Sequence, residues 1–315
     1  MMIKFNFKKS RIAYLLILST LLISESCSKE EINEDINSAG TSSGAYLKVP
    51  DLHFESILIE QGIDSDGTIN QRILISDAEK VKTLDLNLNH SFGEISDLTG
   101  IEGFVNLTFL SAGRQEIESI DLSKNTLLDS LYLTANRLST IDLRNNKELT
   151  FVDMQSNEFR SANSIIGLSD LMNLKELDLS WNYLNAFSIQ NNSLEILHIS
   201  HNDLKSINTT AAVNLKNIFM PSNKLETVDF STNTLLETLL ITGNNLQQLS
   251  LTNNSELTHL YVSANSLVSL DVSQNLELVD LRVDRNPNLS CIKIKDTQNP
   301  YVMKSAYQTL SNHCN

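Results

Sequence analysis

The sequence predicts a repeat solenoid, a stack of coils each about two decades of residues long. Two observations carry this. The pattern L-x-x-L-x-L-x-x-N-x-L can be laid along most of the chain, and it runs twice in "LTHLYVSANSLVSLDVSQN" at 257–275. Its asparagines also step evenly. Asn125, Asn136, Asn146 and Asn157 form one run, and Asn223, Asn233, Asn244, Asn254, Asn265, Asn275 and Asn286 form another, with spacings that alternate between 10 and 11. The true period is therefore 21 residues in two similar halves. Self-similarity at a fixed period outranks any local reading of helix or strand.

The first residues are not part of this pattern. "MMIKFNFKKSR" is basic, and "IAYLLILSTLLI" at 12–23 is an apolar run too short to span a bilayer, the layout of a secretory signal. Ser24 and Ser26 then lead into Cys27. This resembles the lipobox of bacterial lipoproteins, which implies Cys27 as the lipidated first residue, although Ser24 and Glu25 depart from that pattern. A plain secretory signal with an incidental cysteine is the other reading. "CSKEEINEDINSAGTSSG" follows, acidic and then Ser/Gly-rich, which cannot bury a core and predicts a flexible tether. Its Lys and acidic residues resemble a surface-export signal of lipoproteins in Gram-negative bacteria.

At "VPDLHFESILIEQGIDSDG" the chain offers a helical cap. Asp51 can cap a helix whose Leu52, Phe54, Ile57, Leu58 and Gln61 face the core, with Gly62 as its stop. "DSDGTIN" at 64–70 hints at a calcium loop but lacks the first ligand and the terminal Glu of an EF-hand, so it reads as a turn.

The repeats follow. Besides the two runs, Asn89, Asn182, Asn192 and Asn202 hold the slot, and Gln115 holds it once. Apolar, any, apolar is strand alternation, with the middle residue of L-x-L pointing outward. Copies 21 residues apart should pair in parallel. The Asn ends each strand and offers donors and an acceptor to main-chain groups at the turn. Both halves carry the pattern, so a short strand is expected on each side of the coil, with no long helices. Between Asn157 and Asn182 the coil gains four residues, a longer turn. Between Asn202 and Asn223 one Asn is lost but the total of 21 is kept, so the register should hold.

Over residues 81–294 these copies resemble the bacterial leucine-rich repeats with a nested 21-residue unit, as in internalin-like surface proteins. The resemblance implies adhesion or recognition. The chain is then divided into a lipoprotein signal peptide (1–26), a flexible tether (27–47), an N-terminal cap with the first repeat (48–106), the repeats (107–290) and a C-terminal cap (291–315). In that last segment a strand should precede a short helix bearing Tyr301, Ala306, Tyr307 and Leu310. With Cys27 lipidated, Cys291 and Cys314 remain in an oxidising compartment, and their disulfide should pin the cap.

The two halves differ in their outward residues. One register shows Ser111, Tyr132, Asp153, Asp178, His198, Phe219, Leu240, Tyr261 and Arg282, flanked by Phe109, Phe151, Trp181, Ile196, His201, His259 and Arg285. The other shows Asp121, Asp142, Ser188, Asn208, Asp229, Ser250 and Asp271. Aromatic residues and Arg are what binding surfaces concentrate. Ligand binding is therefore expected at Phe109, Tyr132, Phe151, Trp181, His198, His201, Phe219, Tyr261 and Arg282, with Trp181 as the hot spot.

Other classes are disfavoured. A net charge of -14 repels phosphate backbones, so nucleic acid is not an expected partner. No HExxH, GxSxG, Walker loop or GxGxxG occurs, and three Cys are too few for a zinc site. No cofactor, no metal and no enzymatic activity are expected. The reading is a binding protein at the cell surface, an outer-membrane lipoprotein touching the membrane only through its lipid, or a secreted protein if Cys27 is not lipidated. Its partner is a protein, with a glycan as the alternative.

Overall fold

The computed structural model describes residues 45–87 and 93–314, all within one compact unit. The expected signal, the expected anchor Cys27, most of the expected tether and Asn89 lie outside the described residues.

Eleven parallel strands form one long sheet, running in chain order from Thr83–Asp85 to Tyr301–Met303. Each strand is three residues long, and each middle residue stacks on its counterpart in the next coil. Ile218, Leu239, Leu260, Leu281 and Val302 pair in succession, 21 residues apart. The step widens to 25 only between Val152 and Leu177, where the insertion lies, and to 26 between Leu84 and Leu110. Those inner residues are sealed: Leu110, Leu131, Val152, Leu177, Leu197 and Ile218 expose no surface. Burying each contributes about 2 kcal/mol.

The second half of the coil is more broken, as three separate small sheets. Ile141–Asp142 pairs with Ile165–Ile166, Ala186–Ser188 with Ser206–Asn208, and Leu270–Asp271 with Cys291–Lys293 and then Thr309–Ser311. The expected strand on each side is thus present in part. Around Asp121, Asp229 and Ser250 the chain runs without ladder bonds. No helix among the described repeats exceeds a single 3-10 turn.

The four-residue insertion forms two such turns, Ala162–Ser164 and Leu168–Asp170, on either side of Ile165–Ile166. Gly167 joins them at φ 92, where a Cβ would come within 2.7 Å of the Arg144 main-chain nitrogen. At the degraded half, Ala212 fills the Asn slot and the register holds, with Thr209 Oγ1 donating to Asn233 at 2.7 Å. One slot differs from its expected place. The buried ladder residue is Asn191, not Asn192, and its amide donates to Leu168 and Leu171 carbonyls at 2.8 Å each. Two adjacent asparagines left the choice open, and the burial of the turn decided it.

The N-terminal cap is helical over Leu52–Glu60, with Asp51 accepting from the His53 and Phe54 N–H groups and Gly62 at φ 67 beyond its end. Phe54, Ile57 and Leu58 are buried as expected. Leu52 is not: it is 48% exposed. It stands two residues before Phe54, roughly 200° around the helix axis. The strand Tyr46–Lys48 pairs antiparallel with Arg72–Leu74, so Tyr46 and Leu47, read as tether, belong to the cap.

At the C-terminus the expected helix is absent. Tyr301–Met303 and Thr309–Ser311 are strands, and they make one more coil. The solenoid period wins: Tyr301 continues the step from Asp280, and Leu310 pairs with Ile292. Glutamine replaces asparagine in both slots. Gln298 donates to the Val272 and Asn275 carbonyls, and fully buried Gln308 donates to that of Val283. The Cys291–Cys314 disulfide is present, with Cα atoms 5.7 Å apart.

Candidate binding face

Strand alternation places the outward residues of the long sheet in two columns. The third residue of successive strands gives one column, and Ser111 pairs with Tyr132, Tyr132 with Asp153, His198 with Phe219, Phe219 with Leu240, and Tyr261 with Arg282. The first residue gives the other, in which Phe109 pairs with Ser130 and Ser130 with Phe151. Trp181 and His201 lie beyond the strands, in the turn just before Asn182 and Asn202.

All nine predicted residues share this side, but they gather in three groups. In the first, the Tyr132 ring lies between Phe109 and Phe151, with centroids 5.3 and 4.7 Å away. In the second, Trp181 stacks on His201 at 3.8 Å and His198 stacks on Phe219 at 4.5 Å. In the third, Arg282 lies over the Tyr261 ring at 4.0 Å. Seven of the nine are half-buried because neighbours cover them, while Trp181 and His201 are exposed.

The turn geometry is unusual for such side chains. Every residue before a first-register Asn or Gln slot from Arg114 to Arg285 has positive φ. Gly243 fills one such place, and Ala135, Ser156, Ser222 and Ala264 are small. Trp181 at φ 58 and His201 at φ 51 are the bulky aromatic residues held there. Left-handed backbone costs a non-glycine residue about 1–2 kcal/mol. Placing Trp and His there gains exposure, not stability.

Carboxylates separate the first two aromatic groups, and Leu240 stands between the second and third. Asp153 and Asp178 pair across adjacent strands between the first and second. Burial pushes the Asp178 carboxyl up, the Ser180 N–H pulls it back, and the Asp153 charge adds to the rise. His198 Nε2 stands 3.4 Å from Glu176 Oε1. In the third group the Tyr261 hydroxyl donates to Asp280 Oδ2 at 2.7 Å, and Arg282 reaches the same oxygen at 3.1 Å. Burial pushes the Asp280 carboxyl up, but Arg282 and Tyr261 outweigh it and hold it low.

The sequence pattern missed Asp280, which braces Tyr261 and Arg282, and it missed Tyr301 and Met303. These last two extend the two columns and are 63% and 42% exposed. Carrying the 21-residue step past Asp280–Arg282 finds them.

The other flank is unlike this one. Asp121, Asp142, Ser188, Asn208, Asp229, Ser250 and Asp271 are all exposed. Several are tied down by turns: Asp121, Asp142, Asp229 and Asp271 each accept the N–H two residues on. Hydrogen bonds from those turns hold the Asp121 and Asp229 carboxyls below their usual range. Among the described residues no three His, Cys, Asp or Glu groups form a metal cage, and no helix is long and apolar enough to cross a membrane.

No family model matches the chain. Keratocan of Danio rerio is 26% identical over 130 residues, 40% of this chain and 37% of keratocan. Among solved structures, the functional domain of InlJ from Listeria monocytogenes superposes with a TM-score of 0.68 at 23% identity, over 84% of this chain and 62% of that one. A chain of the octameric complex of latrophilin 3, Unc5D and the leucine-rich repeats of FLRT2 gives 0.56 at 17% identity, over 69% of this chain and 76% of that one. The match thus spans less than two thirds of keratocan and of the InlJ domain. These matches indicate no enzyme family. The molecule has the leucine-rich-repeat fold, a parallel-strand solenoid of 21-residue coils like that of the internalin structures.

Proposed function

We propose that this protein is a non-catalytic recognition protein, held at the cell surface by lipid on Cys27, that binds a protein partner through the outward side of its long sheet. One observation carries the reading: aromatic, imidazole and guanidinium side chains project outward from the long-sheet side, while the other flank has no aromatic at the matching positions, which are Asp, Asn and Ser apart from Ile166 and Lys293. Trp, Tyr and Arg supply most interface hot spots. FLRT2's leucine-rich repeats occur in a complex with other proteins, which agrees with the same use of the fold here.

Glycan capture is the second reading, and the ring geometry weighs against it. Sugars stack on open aromatic faces, but Tyr132 has a neighbour on each side, and Trp181, His198 and Tyr261 each have one face covered. What such stacks offer outward is mostly edges and hydrogen-bonding tips, which suit a protein surface. A screen of the purified chain against surface-protein ectodomains and a glycan array tests the class. The expected result is a protein hit weakened by Trp181→Ser, with no glycan retained. A glycan hit weakened by Trp181→Ser would overturn the protein assignment. Acyl labelling that persists in Cys27→Ala would overturn the anchor.

A further inference from the structure

The N-terminal cap holds chemistry that the long sheet does not use. Glu55, on the inner side of the helix Leu52–Glu60, is completely buried. Its Oε1 accepts the N–H groups of Asn70 at 2.8 Å and Arg72 at 3.2 Å, but its Oε2 has no partner. Asp64 is 4% exposed; its Oδ1 accepts from the Asp66 N–H at 3.3 Å, and its Oδ2 also has no partner. A buried carboxylate oxygen without a hydrogen bond is costly, and native structures rarely leave one without compensation. Here two occur in one small region. Asn70 links them, its N–H donating to Glu55 and its side-chain amide to Asp66 Oδ2 at 2.8 Å, while the Asp66 N–H donates to Asp64. Of the nearby cations, Lys80 pairs with Asp77 at 2.9 Å and the Arg72 guanidinium lies over the Tyr46 ring at 4.3 Å.

We propose that Glu55 and the loop 64–70 form a binding site for one calcium ion, with Glu55 Oε2 and Asp64 Oδ2 as its two anionic ligands. Calcium is a hard cation that takes six to eight oxygens from carboxylates, carbonyls and water in flexible geometry. The loop "DSDGTIN" offers only oxygen donors of that kind, with no His or Cys to favour a softer metal. Since among the described residues no three acidic, His or Cys groups stand ready as a cage, the remaining positions fall to main-chain and side-chain oxygens of the loop and to water. The bound ion would tie the capping helix to the strand Arg72–Leu74 through Glu55, which already holds the Asn70 and Arg72 N–H groups.

Equilibrium dialysis of the full chain against calcium alone, with thermal unfolding in EDTA, calcium and magnesium, tests this. The expected result is about one calcium retained per chain, and a midpoint that rises with calcium concentration as ligand linkage requires. Glu55→Gln and Asp64→Asn should each abolish that rise while unfolding in EDTA no earlier than the unaltered chain, because a neutral side chain relieves the buried charge. Dialysis of the unaltered chain decides alone should a variant not fold. No retained calcium, a shift equally large with magnesium, or a calcium shift undiminished in both variants would overturn the site.

Discussion

The asparagines do unequal work. Each long-sheet Asn is fully used: Asn244 donates to the Met220 and Ile241 carbonyls and accepts the Leu225 N–H at 3.1 Å. On the other flank Asn254 donates to the Phe230 and Asn233 carbonyls, but its Oδ1 is buried without a partner. Its main-chain N–H instead closes a turn on the Leu251 carbonyl. Asn244→Ala strands the buried Leu225 N–H and takes one of two donors from the Met220 and Ile241 carbonyls, which keep Asn223 and Asn265, so it should cost about 2–4 kcal/mol. Asn254→Ala strands no main-chain group and should cost about 1–2 kcal/mol. Urea unfolding measures both, and equal losses would contradict the difference. The spacing made the Asn rows legible. It did not separate them, because both halves read LxLxxN and the distinction lies in the backbone before the slot. Trp181 is the sharper residue. Trp181→Gly removes left-handed strain of about 1–2 kcal/mol and forfeits a ring stack worth about 0.5–1.5 kcal/mol. The unfolding midpoint should hardly move, while a hot spot lost at about 2 kcal/mol or more weakens partner binding roughly thirtyfold.

At the scale of single coils, what failed to show in the sequence was the end of the stack. Gln298 and Gln308 stand where Asn was expected, and the slots fall 23 and 22 residues after Asn275 and Asn286, so the last coil escaped the template and read as a helix. Glutamine is one methylene longer and reaches the same carbonyls. This coil rests on one covalent tie, the Cys291–Cys314 bond across a sequence separation of 23. Reducing it should cost about 3 kcal/mol and open residues 291–315 to proteolysis before the rest. Ion pairs also stitch coils. Glu195 bridges Lys175 and Lys216 on the neighbouring coils, 2.8 Å from each. Hydrogen bonds from Lys175 and then Lys216 hold its carboxyl down at about 2, from 4.5. A depressed acid stabilises the fold above its unfolded pKa, so this contribution is present above pH 4.5 and is lost as pH falls toward 2. Glu195→Gln should flatten that part of the acid-unfolding profile, and an unchanged profile would contradict the bridge.

The described residues form a solenoid with two chemically different sides, and that asymmetry was legible because a 21-residue period sends alternate segments to opposite flanks. The pairing of rings into three groups was not legible. It depends on rotamers and on turns that carry Trp181 and His201 outside the strands. Asp153 and Asp178 were legible as outward residues of this register, but the bracing of Tyr261 and Arg282 by Asp280 was not, because Asp280 lies in the neighbouring column. The claim that binding belongs to one side is tested most directly by titrating a partner from the ectodomain screen against two variants. One carries Tyr132→Ser and Trp181→Ser on the long-sheet side, and the other carries Ser188→Ala and Ser250→Ala opposite. Affinity should fall more than tenfold in the first and stay level in the second. Equal affinity in both, or a loss confined to the second, would contradict it.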